Sequence, residues 1–427
     1  MRDSSDNRSD DNKPVGEVIV TGPLGETRAN RNRLMITTVV AGHAIKHIFA
    51  AGFFILLPEL KREMRLSNSS IGSLSTSRMV AGGVLNLIAG VLADRLPHRW
   101  VSILTASMCF LGIFYFLLGW APNFGVLVFA AVFSSIAITL WHPSAIGALA
   151  RRFSKQRGLA ISLHGSGGSV GEALGPLFAG ALLLVFTWRE IFQLSAIPAL
   201  TAGGVIWVLL RQIPVTIGNP TPIQEYFKAV TEFLGNRRLQ VLLVMVACFS
   251  TATGSLMTFL PIYLREDVGF SPFEVGFFVA LSQGVGIISQ PLMGYLSDRH
   301  GRRSVLLPAT LALGVLLLIL YIVPFGIFLI ITIVALGAFA FPLLAVFLAS
   351  ASDIAGEDLQ ATTVALVFAS TTVFAGVSPG VSGLLADAFG IKTVFLFAGI
   401  AALATAVLVF LQGWLGHRSP TESETTS

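Results

Sequence analysis

The chain has 427 residues, of which 54% are hydrophobic and only 12% charged. That charged share is about half the level of soluble domains, and with a mean hydropathy of +0.78 it excludes a water-soluble enzyme, which could not hide so much apolar surface. The net charge of +5 is spread over short loops without a basic, aromatic-interleaved patch, so no nucleic-acid partner is expected. The two cysteines, Cys109 and Cys248, offer neither a disulfide framework nor a metal motif.

In chain order, residues 1–33 come first, rich in Asp, Ser and Asn, and are expected to form a disordered cytoplasmic tail. Runs long enough to cross a bilayer, about 20 apolar residues each, then follow. They cover 34–57, 71–93, 101–120, 124–147, 158–187 and 191–210, and after a break 239–264, 275–297, 304–323, 325–350, 361–386 and 393–415. The first run is too long for a leader core and follows an acid-containing tail, so it is expected to be a span. Barrel strands would be about half as long and would alternate in polarity. The class is therefore an all-α membrane protein with twelve transmembrane helices. The connector 211–238 is the longest polar stretch between runs. Ile223, Phe227, Val230 and Leu234 fall there at helical spacing, which predicts a short amphipathic helix on the inner membrane surface. Residues 416–427 form a second polar tail.

An even number of spans puts both ends on one side. Seventeen Lys and Arg fall on the side of the termini and six on the other. The positive-inside rule then places both termini in the cytoplasm, in a multi-pass protein of the cell (plasma or inner) membrane.

The chain repeats at an offset of 203–204 residues. Pro58 with Ile71-Gly72 matches Pro261 with Val275-Gly276, GVLADR at 90–95 matches GYLSDR at 294–299, and Gly175-Pro176 with Gly180 matches Ser378-Pro379 with Gly383. Two pseudo-symmetric six-helix halves result, 34–210 and 239–415.

Twelve spans, a six-plus-six repeat and the G-x-x-x-D-R loop in both halves resemble the major facilitator superfamily. The stretch from Trp141-His142-Pro143 to Gly175-Pro176 resembles its fosmidomycin-resistance-type exporter subgroup. Where that subgroup carries Asn-Asp and a small residue, this chain has Lys46-His47 and Glu172. The resemblance implies that Gly90, Asp94 and Arg95, and Gly294, Asp298, Arg299 and Arg302, form a gating latch between the halves. Glycines 90 and 294 would let helix ends approach closely. In the same resemblance the Gly-Pro element is tied to export. On the residues alone, Gly168, Gly171 and Gly175 make one smooth helix face, and Pro176 is expected to bend the helix beyond it.

Charges inside a bilayer are costly, at least ~2.5–3.5 kcal/mol on insertion scales, and so line water or pair. They concentrate in the first half: His43, Lys46 and His47 in the first span, Arg78 in the second, His142 in the fourth, His164 and Glu172 in the fifth. His43, Lys46 and His47 share one helical face. At 1.5 Å per residue, His142 and His164 lie about 10 Å from the cytoplasmic end and His43 to His47 about 14–20 Å in. These seven are the candidates for substrate binding or proton coupling. Lys46 or Arg78 is a candidate ion-pair partner of Glu172. In the second half Ser250, Thr251, Thr253, Gln283 and Gln290 are candidate polar contacts.

No nucleotide-binding or catalytic motif appears, so the protein is expected to be no enzyme and to need no cofactor or metal. A secondary active transporter is expected, drawing on an ion gradient, with the proton favoured because His and Glu line the path. The basic surplus points to a small organic anion, carried or exported by alternating access by a monomer in the lipid bilayer. The alternative is a drug/proton antiporter for neutral or cationic compounds. A non-transporting membrane receptor is more remote, since the tails leave no room for a signalling domain.

Overall fold

The computed structural model describes residues 28–214, 231, 235–355 and 360–413. Among them the chain forms thirteen α-helices. The first half holds α1 (Arg28–Glu63), α2 (Asn68–Arg95), α3 (Trp100–Trp120), α4 (Phe124–Arg152), α5 (Arg157–Leu182) and α6 (Trp188–Leu210). The second holds α7 (Arg237–Glu266), α8 (Pro272–His300), α9 (Arg302–Ile322), α10 (Ile327–Ala340), α11 (Leu343–Ala355), α12 (Gln360–Phe389) and α13 (Thr393–Leu411). Helices α10 and α11 make up the tenth span, interrupted at Phe341-Pro342. Proline has no N–H to donate and crowds the preceding turn. Counted this way there are twelve spans.

Two boundaries differ from expectation. Helix α1 begins at Arg28, so residues 28–33 are its first turns and not part of a tail; residues 1–27 lie outside the described residues. Helix α5 ends at Leu182, leaving 183–187 as the turn into a capping box in which Thr187 and Glu190 start α6. The expected surface helix at 211–238 and the tail 416–427 fall mainly or wholly outside the described residues.

Ten helical segments are long and apolar enough to cross a membrane by composition alone. The two missing are α2 and α5, which carry most of the Gly and Ser of the first half. They are also the helices that this half presents to the other: α2 packs on α12 and α5 on α8. A helix wrapped by protein needs less apolar surface than one facing lipid. Within each half the pairing repeats, α1 with α5 and α3 with α6 in the first, α7 with α12 and α9 with α13 in the second.

The repeat landmarks meet at the junction of the halves. A Cβ on Gly72 would run into the Pro379 carbonyl, and one on Gly276 into the Pro176 carbonyl. Gly180 sits against Pro272 and Gly276, and Gly383 against Asn68 and Ser69. These two related contacts close the face opposite the chain termini. Toward the terminal face the helices part: Gly158 and Gly165 of α5, Gly284 and Gly294 of α8 and Gly90 of α2 have nothing within 4 Å of a Cβ position.

Candidate functional site

The glycine face of α5 lies flat on α1. A Cβ at Gly167 would stand 2.6 Å from the Val40 carbonyl, at Gly168 2.6 Å from His43 Cε1, and at Gly175 2.6 Å from the Ile48 carbonyl; one at Gly171 would collide with the Ala44 carbonyl. Only hydrogen fits at each position, and the backbones come close enough for α5 to reach the polar stripe of α1. Helix α5 runs through Pro176 to Leu182.

At this junction six of the seven sequence candidates form one cluster. His43 Nδ1–H donates to the His164 carbonyl at 2.6 Å, since a carbonyl can only accept. His43 Nε2 is 3.0 Å from His142 Nε2 and 3.1 Å from His47 Nε2. His47 Nδ1 lies 3.0 Å from Glu172 Oε1. Lys46 Nζ approaches His142, at 3.1 Å from Nε2 and 3.3 Å from Nδ1. His164 stacks on His43 with centroids 3.7 Å apart and accepts from Trp141 Nε1–H at 3.1 Å. A contact chain thus runs Lys46, His142, His43, His47, Glu172. His43, Lys46 and His164 are buried, and the Glu172 side chain is 45% exposed.

Two expectations change. Glu172 pairs with His47, not with Lys46 or Arg78. The His47 ring sits one turn beyond His43 on the face that meets α5, whereas Lys46 turns toward α4. Arg78 stands apart from the cluster. Its guanidinium carbon lies 4.2 Å from the Phe53 ring centre and 5.7 Å from that of Phe54. Tyr115 donates to the Phe49 carbonyl at 2.8 Å. Arg78 is buried, and its Nε has no partner among the described residues. In the second half, Ser250 Oγ and Gln283 Oε1 are likewise buried without partners, whereas Thr251 and Thr253 bond back to their own helix.

In this conformer the contacts of the loop motif stay within one half. Gly90 and Gly294 face open space in this conformer rather than a close neighbour. Arg302 pairs with Asp298 in its own segment and with Asp353 of α11, Nε to Oδ2 at 2.7 Å, so this ionic cluster lies within the second half. Arg299 donates to the Tyr295 hydroxyl at 3.0 Å. Arg95 is exposed, and the Asp94 side chain lies outside the described residues.

Across the closed face the halves are tied by ions. Arg265 Nε donates to Glu59 Oε1 at 2.6 Å, Lys61 pairs with Glu266 at 2.5 Å, and Asp387 accepts from the backbone N–H groups of Asn68 and Ser69, each at 2.9 Å. Glu59 also pairs with Arg62.

A helical bundle of two related halves matches the Major Facilitator Superfamily model over residues 39–290 and 242–427. The chain belongs to the major facilitator superfamily. It is similar to the fosmidomycin resistance protein of Escherichia coli (strain K12), 23% identical over 406 residues, which cover 90% of this chain and 94% of that protein. It is also similar to the glycerol-3-phosphate transporter of Bacillus subtilis (strain 168), 26% identical over 303 residues, 61% of this chain and 64% of that one. Among solved structures, an inward-facing, unoccupied bacterial homolog of the human lysosomal transporter Spinster superposes with a TM-score of 0.75 at 17% identity, over 89% of this chain and 96% of that chain. The protein is a multi-pass membrane transporter of this superfamily, not an enzyme.

Sequence reading missed Trp141 as the hydrogen-bond donor to His164, and Tyr115, Phe53 and Phe54 as the surroundings of Arg78. It also missed the ionic closure. The repeat carried part of that signal, because its offset superposes Arg62 on Arg265 and Glu63 on Glu266.

Proposed function

We propose that this transporter carries or exports a small organic anion, coupled to protons, by alternating access. The observation behind this is the uncompensated positive charge. Lys46 and Arg78 are both buried, and neither forms an ion pair among the described residues. Glu172, the acid of the cluster, is engaged by His47. A desolvated cation of this kind is stabilised when an anion arrives. Relatives named for glycerol-3-phosphate and for nitrate and nitrite are named for anions. Proton coupling is supported by the contact chain from His142 through His43 and His47 to Glu172, whose ring nitrogens and carboxylate exchange protons over hydrogen-bond distances. The protein works as a monomer in the cell membrane with both termini in the cytoplasm, so the conformer described here opens inward.

The test uses purified protein in liposomes with an internal pH dye, screened against organic anions and lipophilic drugs. Uphill anion movement driven by a pH gradient is expected. Glu172→Gln should keep anion exchange and lose the pH-driven component, and Arg78→Ala should raise the half-saturating anion concentration. If substitutions at both Lys46 and Arg78 leave anion affinity unchanged and a neutral or cationic drug moves instead, the protein is a drug/proton antiporter. For orientation, cysteine placed at Ser67 should be labelled from outside and cysteine at Ser154 should not.

A further inference from the structure

We propose that His43, His47 and His142 form a binding site for a divalent transition-metal ion. Sequence reading expected no metal, because the third imidazole comes from α4, about a hundred residues away along the chain.

The geometry has four parts. First, the Nε2 atoms of the three rings converge: His43 to His142 is 3.0 Å, His43 to His47 is 3.1 Å, and all three offer donor atoms within 4.8 Å of one another. Three nitrogens around an ion at about 2.0–2.1 Å stand roughly 3.3–3.4 Å apart in a tetrahedron, so the two pairs that include His43 need to open by only a few tenths of an ångström, while His47 and His142, within 4.8 Å of each other, close onto the ion. His43 and His47 are four residues apart on one helix, the spacing that points two imidazoles to one side.

Second, the far nitrogens of two of the three rings are held as metal-bound imidazoles require, while that of His142 faces Lys46 Nζ at 3.3 Å. His43 Nδ1–H donates to the His164 carbonyl at 2.6 Å, and His47 Nδ1 faces the Glu172 carboxylate at 3.0 Å. A backbone carbonyl and a carboxylate are the usual outer partners; they fix the tautomer and turn Nε2 toward the ion.

Third, the facing lone pairs call for a positive charge between the rings. With both Nδ1 atoms carrying hydrogen for these partners, the Nε2 atoms of neutral His43 and His47 present lone pairs to each other at 3.1 Å. A proton on His47, held against Glu172, relieves that contact in the empty site, and a metal ion bound by both lone pairs relieves it in the same way. Three neutral nitrogens favour borderline ions such as Zn²⁺, Co²⁺ or Ni²⁺ over Mg²⁺ or Ca²⁺.

Fourth, the Lys46 ammonium lies 3.1 Å from His142 Nε2, inside the same cage and fully buried. It stands beside the ion's position as a built-in competitor. Removing its charge should therefore strengthen metal binding, an effect that general damage to the fold does not produce.

The inference does not depend on the solute being an anion, and its test contains no solute. Full-length protein in detergent micelles is stripped with a chelator and titrated with Co²⁺, read by its visible ligand-field bands, with bound Zn²⁺ counted after equilibrium dialysis. One ion per chain is expected, with a four-coordinate Co²⁺ spectrum that Zn²⁺ abolishes. His47→Gln and His142→Gln should each weaken binding by more than the roughly 10–100-fold that loss of an outer partner costs, and Lys46→Met should tighten it by about tenfold or more. Two results would overturn the site: no stoichiometric ion in the wild-type protein, or binding that survives His47→Gln with His142→Gln but disappears with His98→Gln and His300→Gln, two exposed histidines outside the cluster. Weaker binding in Lys46→Met would also refute the placement of the ion beside the ammonium. Loss of Co²⁺ binding with anion transport intact would leave the proposed function standing.

Discussion

The closed face offers a quantitative test of how this transporter holds its conformation. Glu59 of α1 accepts from Arg265 of α7 at 2.6 Å and pairs with Arg62, with only 10% of its side chain exposed. Replacing it with Gln removes a charge from a cross-half contact and leaves two guanidinium groups to share one neutral amide oxygen. A hydrogen bond to a charged group contributes about 1.5–3 kcal/mol. Taking ~2 kcal/mol, the equilibrium between closed and open states of this face should shift by about thirtyfold. The assay is a pulsed-EPR distance measurement between spin labels on the two halves, at Val185 in the α5–α6 turn (78% exposed) and Phe325 in the α9–α10 turn (71% exposed). Glu59→Gln should move a large part of the distribution to longer distances. Arg265→Gln should do much the same, and the double variant should add little, because one interaction is lost in all three. If Glu59→Gln leaves the distribution unchanged, the ions do not hold this face and close backbone packing at Gly72 and Gly276 holds it alone.

Further substitutions separate packing from gating. Gly171→Ala puts a methyl into the Ala44 carbonyl and should cost about 1–3 kcal/mol of thermal stability in detergent through overpacking between α1 and α5; an unchanged melting temperature would mean the two helices are not held together there. Gly90→Ala and Gly294→Ala meet open space in this conformer, so each should leave stability within about 0.5 kcal/mol while slowing turnover if the helix ends close up in the other state. Asp387→Ala deprives the first turn of α2 of a cap supplied by the other half and should cost about 0.5–2 kcal/mol, seen as opening of the same face in the spin-label assay. Asp298→Asn leaves Arg302 paired with Asp353 and should slow transport without lowering expression; full turnover in that variant would remove the motif from the gate.

What the sequence determined by itself was the part of the protein written in composition and period. Twelve apolar runs, a 203–204-residue repeat and a stripe of His43, Lys46 and His47 follow from residue identity, because helix length and the 100° turn per residue are local properties. The smooth face of Gly168, Gly171 and Gly175 was legible for the same reason. Its partner was not: nothing in the spacing says that this face meets α1 at the depth that sets Glu172 against His47 rather than Lys46 or Arg78. Rotation and depth between two helices are fixed by which backbone atoms can touch, and here glycine leaves one arrangement in which α5 reaches α1. Only the tertiary structure could bring His142 of α4 within 3.0 Å of His43, or show Arg78 held in an aromatic cage away from the cluster. The weak hydropathy of α2 and α5 likewise acquires its reason only in the fold, where these helices pack on α12 and α8 of the other half.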